Sequence, residues 1–517
     1  MEELKPTNIK RSIISVFNKD GILPLAKALE SKSVDIYSTG GTFKVLQDSG
    51  IDVKKISDLT SFPEILKGRV KTLHPMIFSG ILADSTDPSH ERDLKDVNAK
   101  EFQLVIVNLY PFAQTLRSGE NDHEKIIEMI DIGGPSMLRA AAKNFKNVVV
   151  LSDPGQYEEF LERFESGDLN YEYRRSLAGS VFTHTTMYDY SISRYFSDSD
   201  TEELPDVMLS GLNKVKTLRY GENPDQKAAI YSPISDNDWA PFDILGGKEL
   251  SYNNYVDSLV AYEIVKGLSD TACAIIKHAN PCGFGISDTF LKAYRRAVNT
   301  DPISYFGGIV AINGAVNAEL AEELTKSFLE CIVAQSYTEE ALSILSRKKR
   351  LRLLIPRTTD IETKISVKSY GTGALVQELQ SYEDNIEKWQ TVTDKLPNAE
   401  HSNAVRLGWH LVKSVKSNSI VLADDTGAVG IGAGQMSRID SFKIALRKAS
   451  EAGLSVKNTV VASDAFFPFR DSIDLAADNE IAGVIQPGGS IRDKDVIDAC
   501  NEHGIFMIFT GKRVFKH

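Results

Sequence analysis

Residues 12–42, SIISVFNKDGILPLAKALESKSVDIYSTGGT, read as strand, helix, strand and glycine turn in direct succession. Ser12 to Val16 is a short apolar run of strand length, and from Gly21 to Lys32 the residues Ile22, Leu25, Ala26 and Leu29 fall at helical spacing. Val34 to Tyr37 reads again as a strand, and Thr39-Gly40-Gly41-Thr42 opens a second helical pattern. Leu104 to Asn108 and Val148 to Leu151 are further buried-strand candidates. This alternation predicts an α/β fold, with a parallel sheet covered by helices on both faces.

A chain of 517 residues is too long for one ordinary core, so several domains are expected. The acidic, Ser-rich segment FSDSDTEELPD (196–206) is the best linker and divides the chain into residues 1–198 and 199–517. α/β alternation resumes beyond it, without an internal repeat visible by eye. The net charge of −12 disfavours a nucleic-acid partner, which needs a basic footprint. A chain so acidic must gather its cations locally to bind phosphate. Cys273, Cys282, Cys331 and Cys500 are scattered without a C-x-x-C pair, as expected of reduced thiols. No apolar run reaches the roughly 18 residues of a membrane helix, and Met-Glu-Glu-Leu-Lys-Pro lacks the apolar core of a secretory signal. A soluble, cytoplasmic protein without membrane partners is expected.

Several stretches carry chemistry. The turn at Ser38 to Thr42 follows a strand and opens a helix, which suits either an anion-binding loop or an ordinary βα turn. GRVKTLHP (68–75) sets Arg69, Lys71 and His74 close together, as a ligand site or a solvated basic turn. Lys19 adds a cation near the sheet's carboxyl edge, where open α/β folds bind ligands. NLYPF (108–112) follows a buried strand, so Tyr110 is either a donor to an oxyanion or a half-buried aromatic. In DIGGPSMLRAAAKN (131–144), Pro135 fits a first helical position, and Arg139 and Lys143 share one helix face.

GRVKTLHP, NLYPF and DIGGPSMLRAAAKN, in that order, resemble the inosinate cyclohydrolase domain of the bifunctional purine biosynthesis family, whose fold is similar to methylglyoxal synthase. The resemblance implies a formylated aminoimidazole carboxamide ribotide (FAICAR) as substrate. Its carboxamide nitrogen attacks the formyl carbon, and water leaves. The formyl oxygen gathers charge as it is attacked, and preorganised donors aimed at such an atom are worth a few kcal/mol each, at most about 4. By the resemblance Lys71, Tyr110, Asp131 and Lys143 form the cyclisation site, with Tyr110 and Lys143 as donors and Asp131 orienting the amide or taking its proton. Ser15, Lys19, Thr39, Gly40, Gly41, Arg69 and Thr72 are implied to hold the phosphate. Phe17-Asn18 departs from the Ser-Asp that many relatives carry before the lysine.

Beyond the linker, an apolar strand from Ala272 to Ile276 runs into KHANPCG (277–283). Strand neighbours face opposite ways, so Lys277 and His278 share a site only if the strand ends there; Asn280-Pro281 and Gly283 are expected to break it. A lysine beside the histidine favours the neutral imidazole that a general base requires. A strand-end lysine next to a hydrogen-bonded histidine is the alternative. Pro281-Cys282 invites comparison with zinc deaminases, but no H-x-E precedes and no second Cys follows, so no catalytic metal is expected. GIGAG (430–434) departs from the G-x-G-x-x-G dinucleotide loop.

KHANPCG, LRYGENP (218–224), GIGAGQMSRID (430–440), SDAFFPFRD (463–471) and RVFKH (513–517) together resemble the transformylase domain of the same family. The resemblance implies two cytidine-deaminase-like α/β sub-domains without zinc, working as a homodimer. It implies 10-formyltetrahydrofolate as donor and the aminoimidazole carboxamide ribotide (AICAR) as acceptor, and admits a structural monovalent cation. His278 would take the amine proton, Lys277 stabilise charge or help the leaving nitrogen, and Asn418 position the formyl group. Arg219, Tyr220, Asn254 and Arg513 would hold the ribotide, with Phe306, Gly307 and Phe515 near its base and Glu330 on its carboxamide. Gln335 stands where relatives more often carry Pro. Ser437, Arg438, Phe466, Phe467 and Phe469 would line the folate side. Two other readings stay open, a zinc-dependent nucleobase deaminase and a ligand sensor without catalysis.

Overall fold

A computed structural model describes residues 8–197, 204, 206–234, 240–357, 365–379 and 386–517. The chain forms two compact units, Met1–Gly211 and Leu212–His517. Most of the expected linker, and the expected boundary at 198/199, lies outside the described residues.

The first unit is built on five parallel strands: β1 (Arg11–Val16), β2 (Asp35–Ser38), β3 (Val53–Lys55), β4 (Leu104–Asn108) and β5 (Val149–Leu151), in the order β3-β2-β1-β4-β5. Every residue of β4 is buried, as expected for a parallel strand covered on both faces. The helix Ile22–Ser31 buries Ile22, Leu25, Ala26 and Leu29, the residues its periodicity selects. Strand order runs outward from β1 to β3 and then resumes on the other side at β4. The switch point between β1 and β4 therefore opens a crevice at their carboxyl ends, which is where such sheets bind ligands. Asn108 stitches it: Oδ1 accepts from the Phe17 and Asn18 N–H groups at 2.6 and 2.9 Å, and Nδ2 donates to the Asn18 carbonyl at 2.9 Å.

The second unit contains a twelve-stranded sheet whose strand order is a palindrome of topology. In one half, Thr271–Lys277 pairs antiparallel with Asn280–Ser287 and with Ile309–Ile312. Cys331–Val333 and Arg352–Pro356 follow in parallel, and Phe242–Gly246 closes the edge antiparallel. The other half repeats this with Ile420–Asp424, Gly427–Gly432, Val460–Ser463, Gly483–Gln486, Phe506–Phe509 and Gln390–Thr391. The halves join where Gly285 pairs with Gly427.

The duplicated glycines explain the G-x-G pattern. A Cβ on Gly283 would lie 2.2 Å from the Ala297 carbonyl oxygen, and one on Gly430 would lie 2.2 Å from that of Ala445. Each strand must be bare there so that the helix Phe290–Thr300, or Arg438–Glu451, can pack on it. Among the described residues, no helix is long and apolar enough to cross a membrane.

Candidate active sites

In the first unit, the carboxyl edge gathers most of the expected residues. Thr39 precedes the helix Gly40–Asp48, and Gly40 has φ +50°, a conformation glycine adopts without penalty. A Cβ on Gly40 would come within 3.8 Å of Lys71 Nζ, so this ammonium sits against the glycine turn. Thr42 Oγ1 bridges to Val16, accepting its N–H at 3.2 Å and donating to its carbonyl at 2.9 Å, which ties the turn to β1 beside Ser15. Thr39 Oγ1 is buried with no hydrogen-bond partner, a polar atom left for a ligand to satisfy. Lys19 Nζ donates to the Val16 and Phe17 carbonyls at 2.6 and 2.8 Å. Burial, and then the charge of Lys71, push the Lys19 pKa below its ordinary value.

Asp131 stands across this edge. Its Oδ1 accepts from the Gly134 N–H at 2.9 Å, and its own N–H donates to the Tyr188 hydroxyl at 2.8 Å. Burial raises its pKa, while the N–H groups of Gly134 and Gly133 and the charge of Lys71 oppose the rise. A Cβ on Gly134 would collide with the Asp131 carboxylate and with Leu109, so glycine alone lets the carboxylate seat there. Thr72 is buried with Oγ1 against Gly133. The Tyr110 ring meets Phe17 edge-on, centroids 5.6 Å apart. Lys71 lies close enough to Asp131 for their charges to interact, and Tyr110 follows β4 at the same carboxyl edge.

Two expected residues fall elsewhere. Arg69 is exposed and pairs with Glu128. Lys143 is the last residue of the helix Gly133–Lys143, which descends from the carboxyl edge to the amino edge before β5. At about 1.5 Å per residue that helix carries Lys143 on the order of 15 Å from Asp131. Within one chain, Lys143 therefore stands apart from Lys71, Tyr110 and Asp131, with which it was expected to form the cyclisation site. Arg139, which shares a face with Lys143, stacks over Phe182, guanidinium to ring centroid 5.5 Å. Pro135 is also corrected: the helix begins at Gly133, so Pro135 lies in its first turn rather than at its first position.

In the second unit the catalytic candidates sit at a hairpin. The strand Thr271–Lys277 ends at Lys277, and the next begins at Asn280, with Lys277 paired to Asn280. His278 and Ala279 form the turn, with φ of 54° and 58°. The expected break at Asn280-Pro281 is thereby corrected, since both residues are already in the returning strand. Lys277 Nζ donates to the Phe306 carbonyl at 2.9 Å, and Gly307, at φ +72°, donates its N–H to the Phe328 carbonyl at 2.8 Å. Phe306 is exposed beside Phe328, ring centroids 5.5 Å apart.

Asn280 Oδ1 accepts the Lys416 N–H at 3.0 Å, which brings the 416–418 segment to the hairpin. Asn418, reached through a cis peptide bond from Ser417, is held at both ends of its amide. Nδ2 donates to the Met436 carbonyl at 3.1 Å, and Oδ1 accepts from Arg438 Nη2 at 2.9 Å. Arg438 is mostly buried and also donates to Asp464 Oδ1 at 3.0 Å and to the Phe466 carbonyl at 3.2 Å. Ser437 caps the helix Arg438–Glu451.

The C-terminal residues follow the last strand without joining the sheet. The Val514 N–H donates to the Asp464 carbonyl at 3.0 Å. Ser417 and Lys516 exchange two bonds, Ser417 N–H to the Lys516 carbonyl at 2.9 Å and Lys516 N–H to Ser417 Oγ at 3.0 Å. Arg513, Phe515 and His517 face outward in one stack, with the guanidinium 4.6 Å from the Phe515 centroid.

Other assignments divide. Phe467 is fully buried in the core, so its expected contact with a ligand is corrected; Phe466 is partly exposed and Phe469 is exposed beneath Arg492. Asn254 forms a reciprocal cap with Ser251 on the helix Tyr252–Val265. Arg219 stacks over Tyr220, guanidinium to centroid 5.5 Å. Glu330 pairs with the buried Arg352. The Cys282 thiol is pushed up to about 12 by burial, so it stays protonated. Among the described residues, no three His, Cys, Asp or Glu side chains gather as a metal site. Sequence reading missed Asp257, Asn280, Lys416 and Asp464. Asn280 and Asp464 lie inside KHANPCG and SDAFFPFRD, but their bonds, like those of Asp257 and Lys416, run to residues distant in sequence, which no local pattern signals.

The carboxyl edge of the parallel sheet in one unit, and in the other the hairpin at Lys277 and His278 tied to the Asn418 segment, are the candidate sites of a two-unit α/β protein. A family model described as "AICARFT/IMPCHase bienzyme" matches residues 141–448, and one described as "MGS-like domain" matches residues 21–136. The bifunctional purine biosynthesis protein PurH of Aquifex aeolicus is 48% identical over 98% of this chain and 100% of its own. Those of Leptospira biflexa and Halalkalibacterium halodurans are 45% and 46% identical, each over 98% of this chain and at least 99% of their own. The chain belongs to the family of bifunctional purine biosynthesis proteins. It is a phosphoribosylaminoimidazolecarboxamide formyltransferase and an IMP cyclohydrolase, with 10-formyltetrahydrofolate as cosubstrate.

Proposed function

We propose that the first unit closes the purine ring and the second transfers the formyl group. In formyl transfer, the 5-amine of AICAR bonds to the formyl carbon as the bond from that carbon to N10 of the folate breaks. His278 takes the amine proton, which passes to the leaving nitrogen. Lys277 and the amide of Asn418 face the charge that develops on the formyl oxygen. The outward stack of Arg513 and Phe515, with Arg219 and Tyr220, receives the ribotide. Phe466 and Phe469 offer rings to the folate. Arg438 acts through Asn418, which it holds, and Glu330 through Arg352.

In cyclisation, the carboxamide nitrogen of FAICAR attacks the formyl carbon. Lys71 and Tyr110 donate to its oxygen, which leaves as water, and Asp131 accepts the amide proton. Ser15, Lys19, Thr39, Gly40, Gly41 and Thr72 cradle the phosphate. The protein is read as a cytoplasmic homodimer that admits a structural monovalent cation.

The observation that carries the transferase reading is the bond from Asn280 to Lys416, which joins the His278 turn to the Asn418 segment. Two assays on the intact chain test the proposal. FAICAR alone should yield inosinate without folate, and AICAR should require 10-formyltetrahydrofolate. A folate requirement for the first conversion would contradict the division.

A further inference from the structure

His278 and Ala279 both occupy the left-handed region, which residues with a Cβ adopt rarely and seldom in succession. Something outside the turn must favour it. Asp257, on the helix Tyr252–Val265, reaches it with a carboxylate: Oδ1 accepts the Ala279 N–H at 2.7 Å, and the His278 N–H also bonds to this group. The matching turn in the other half of the sheet, Asp424 to Gly427, shows no such dependence. There Asp424 itself accepts from the Thr426 and Gly427 N–H groups at 2.8 and 2.9 Å, and neither Asp425 nor Thr426 has positive φ. The duplicated fold thus holds one turn from within. It holds the other, which carries the lysine and histidine, from a neighbouring helix.

We propose that Asp257 is a positioning residue for formyl transfer, fixing the backbone of the turn so that the His278 imidazole meets the amine. The inference rests on the reading of His278 as the base. Burial raises the Asp257 pKa, and the two turn N–H groups oppose that rise, so the carboxylate is desolvated in order to serve the turn. A helix also sets its position more firmly than a loop would.

The test compares Asp257→Ala, Asp257→Asn and His278→Ala in the full-length protein. It measures kcat and KM for formyl transfer, the Kd for AICAR by calorimetry, and cyclisation as a check on the first unit. Misplacing a reacting group by about 1 Å costs on the order of a hundredfold. Asp257→Ala should therefore lower kcat about ten- to a hundredfold with the AICAR Kd nearly unchanged. Asp257→Asn, which keeps an acceptor oxygen, should recover most of the loss. An unchanged kcat in Asp257→Ala, a loss of AICAR binding in step with kcat, or no recovery in Asp257→Asn overturns the proposal. If His278→Ala transfers formyl at the wild-type rate, the base assignment falls and this inference with it. If His278→Ala is inactive and Asp257→Ala is not, this inference alone falls.

Discussion

Asp131 works against its surroundings. Burial raises its pKa above the ordinary 3.8, so the folded state holds its proton more tightly than the unfolded chain does. The contribution to stability is fully present below the unfolded value and is lost as pH rises through the folded one. At pH 7 the ionised carboxylate is therefore a penalty on folding. Asp131→Asn should raise the unfolding midpoint of the protein at pH 7, with the gain vanishing at acid pH, while cyclisation drops by at least about a hundredfold. Thermal melts at both pH values check this, and a lower midpoint at pH 7 would contradict it. Cys282 makes a second case: burial pushes its thiol up to about 12, and neither an H-x-E nor a second Cys at deaminase spacing accompanies it. Dialysis against a divalent-metal chelator should leave both activities unchanged, and loss of formyl transfer would reopen the deaminase reading. Residue types were legible in the sequence at this scale, and adjacency was not. Lys143 shares a motif with Asp131, yet a helix length separates them.

At the scale of elements, the glycine pairs decide how helix meets sheet. Gly430→Ala would drive a Cβ into the Ala445 carbonyl oxygen, and overpacking of this kind costs about 1–3 kcal/mol. Formyl transfer should become heat-labile while cyclisation keeps its wild-type melting behaviour, as activity remaining after graded heating would show. Equal loss of both would mean that the units do not unfold separately. The tail is the second element with a testable role. Removing Arg513 to His517 deletes the buried Val514 and both bonds to Ser417. The kcat/KM for AICAR should fall at least about tenfold, and unchanged values would make the tail a frayed end. Four of the five strands in the first unit's parallel sheet were legible because they are short, largely apolar runs; Val53–Lys55 was not, since two of its three residues are exposed lysines. The repeat in the second was not, because topology is duplicated while side chains differ, and only GFG (283–285) and GIG (430–432) keep its trace. The hairpin at Lys277 was misread because Pro281 signals a break, whereas the true turn uses His278 and Ala279, which carry no turn signature.

Over the whole molecule, an acidic chain sets Lys19 close enough to Lys71 for their charges to repel in one unit, and in the other it carries Lys277 at the hairpin and Arg513 in the tail. Each unit has its own buried core. Two activities in one chain should then separate by single substitutions. The most direct measurement takes the initial rates of both half-reactions, AICAR formylation and FAICAR closure to inosinate, in full-length Lys71→Met and His278→Ala. Lys71→Met should lose closure by at least about a hundredfold and formylate AICAR at the wild-type rate, and His278→Ala should show the reverse. Parallel loss of both rates in either folded variant would contradict two separate sites.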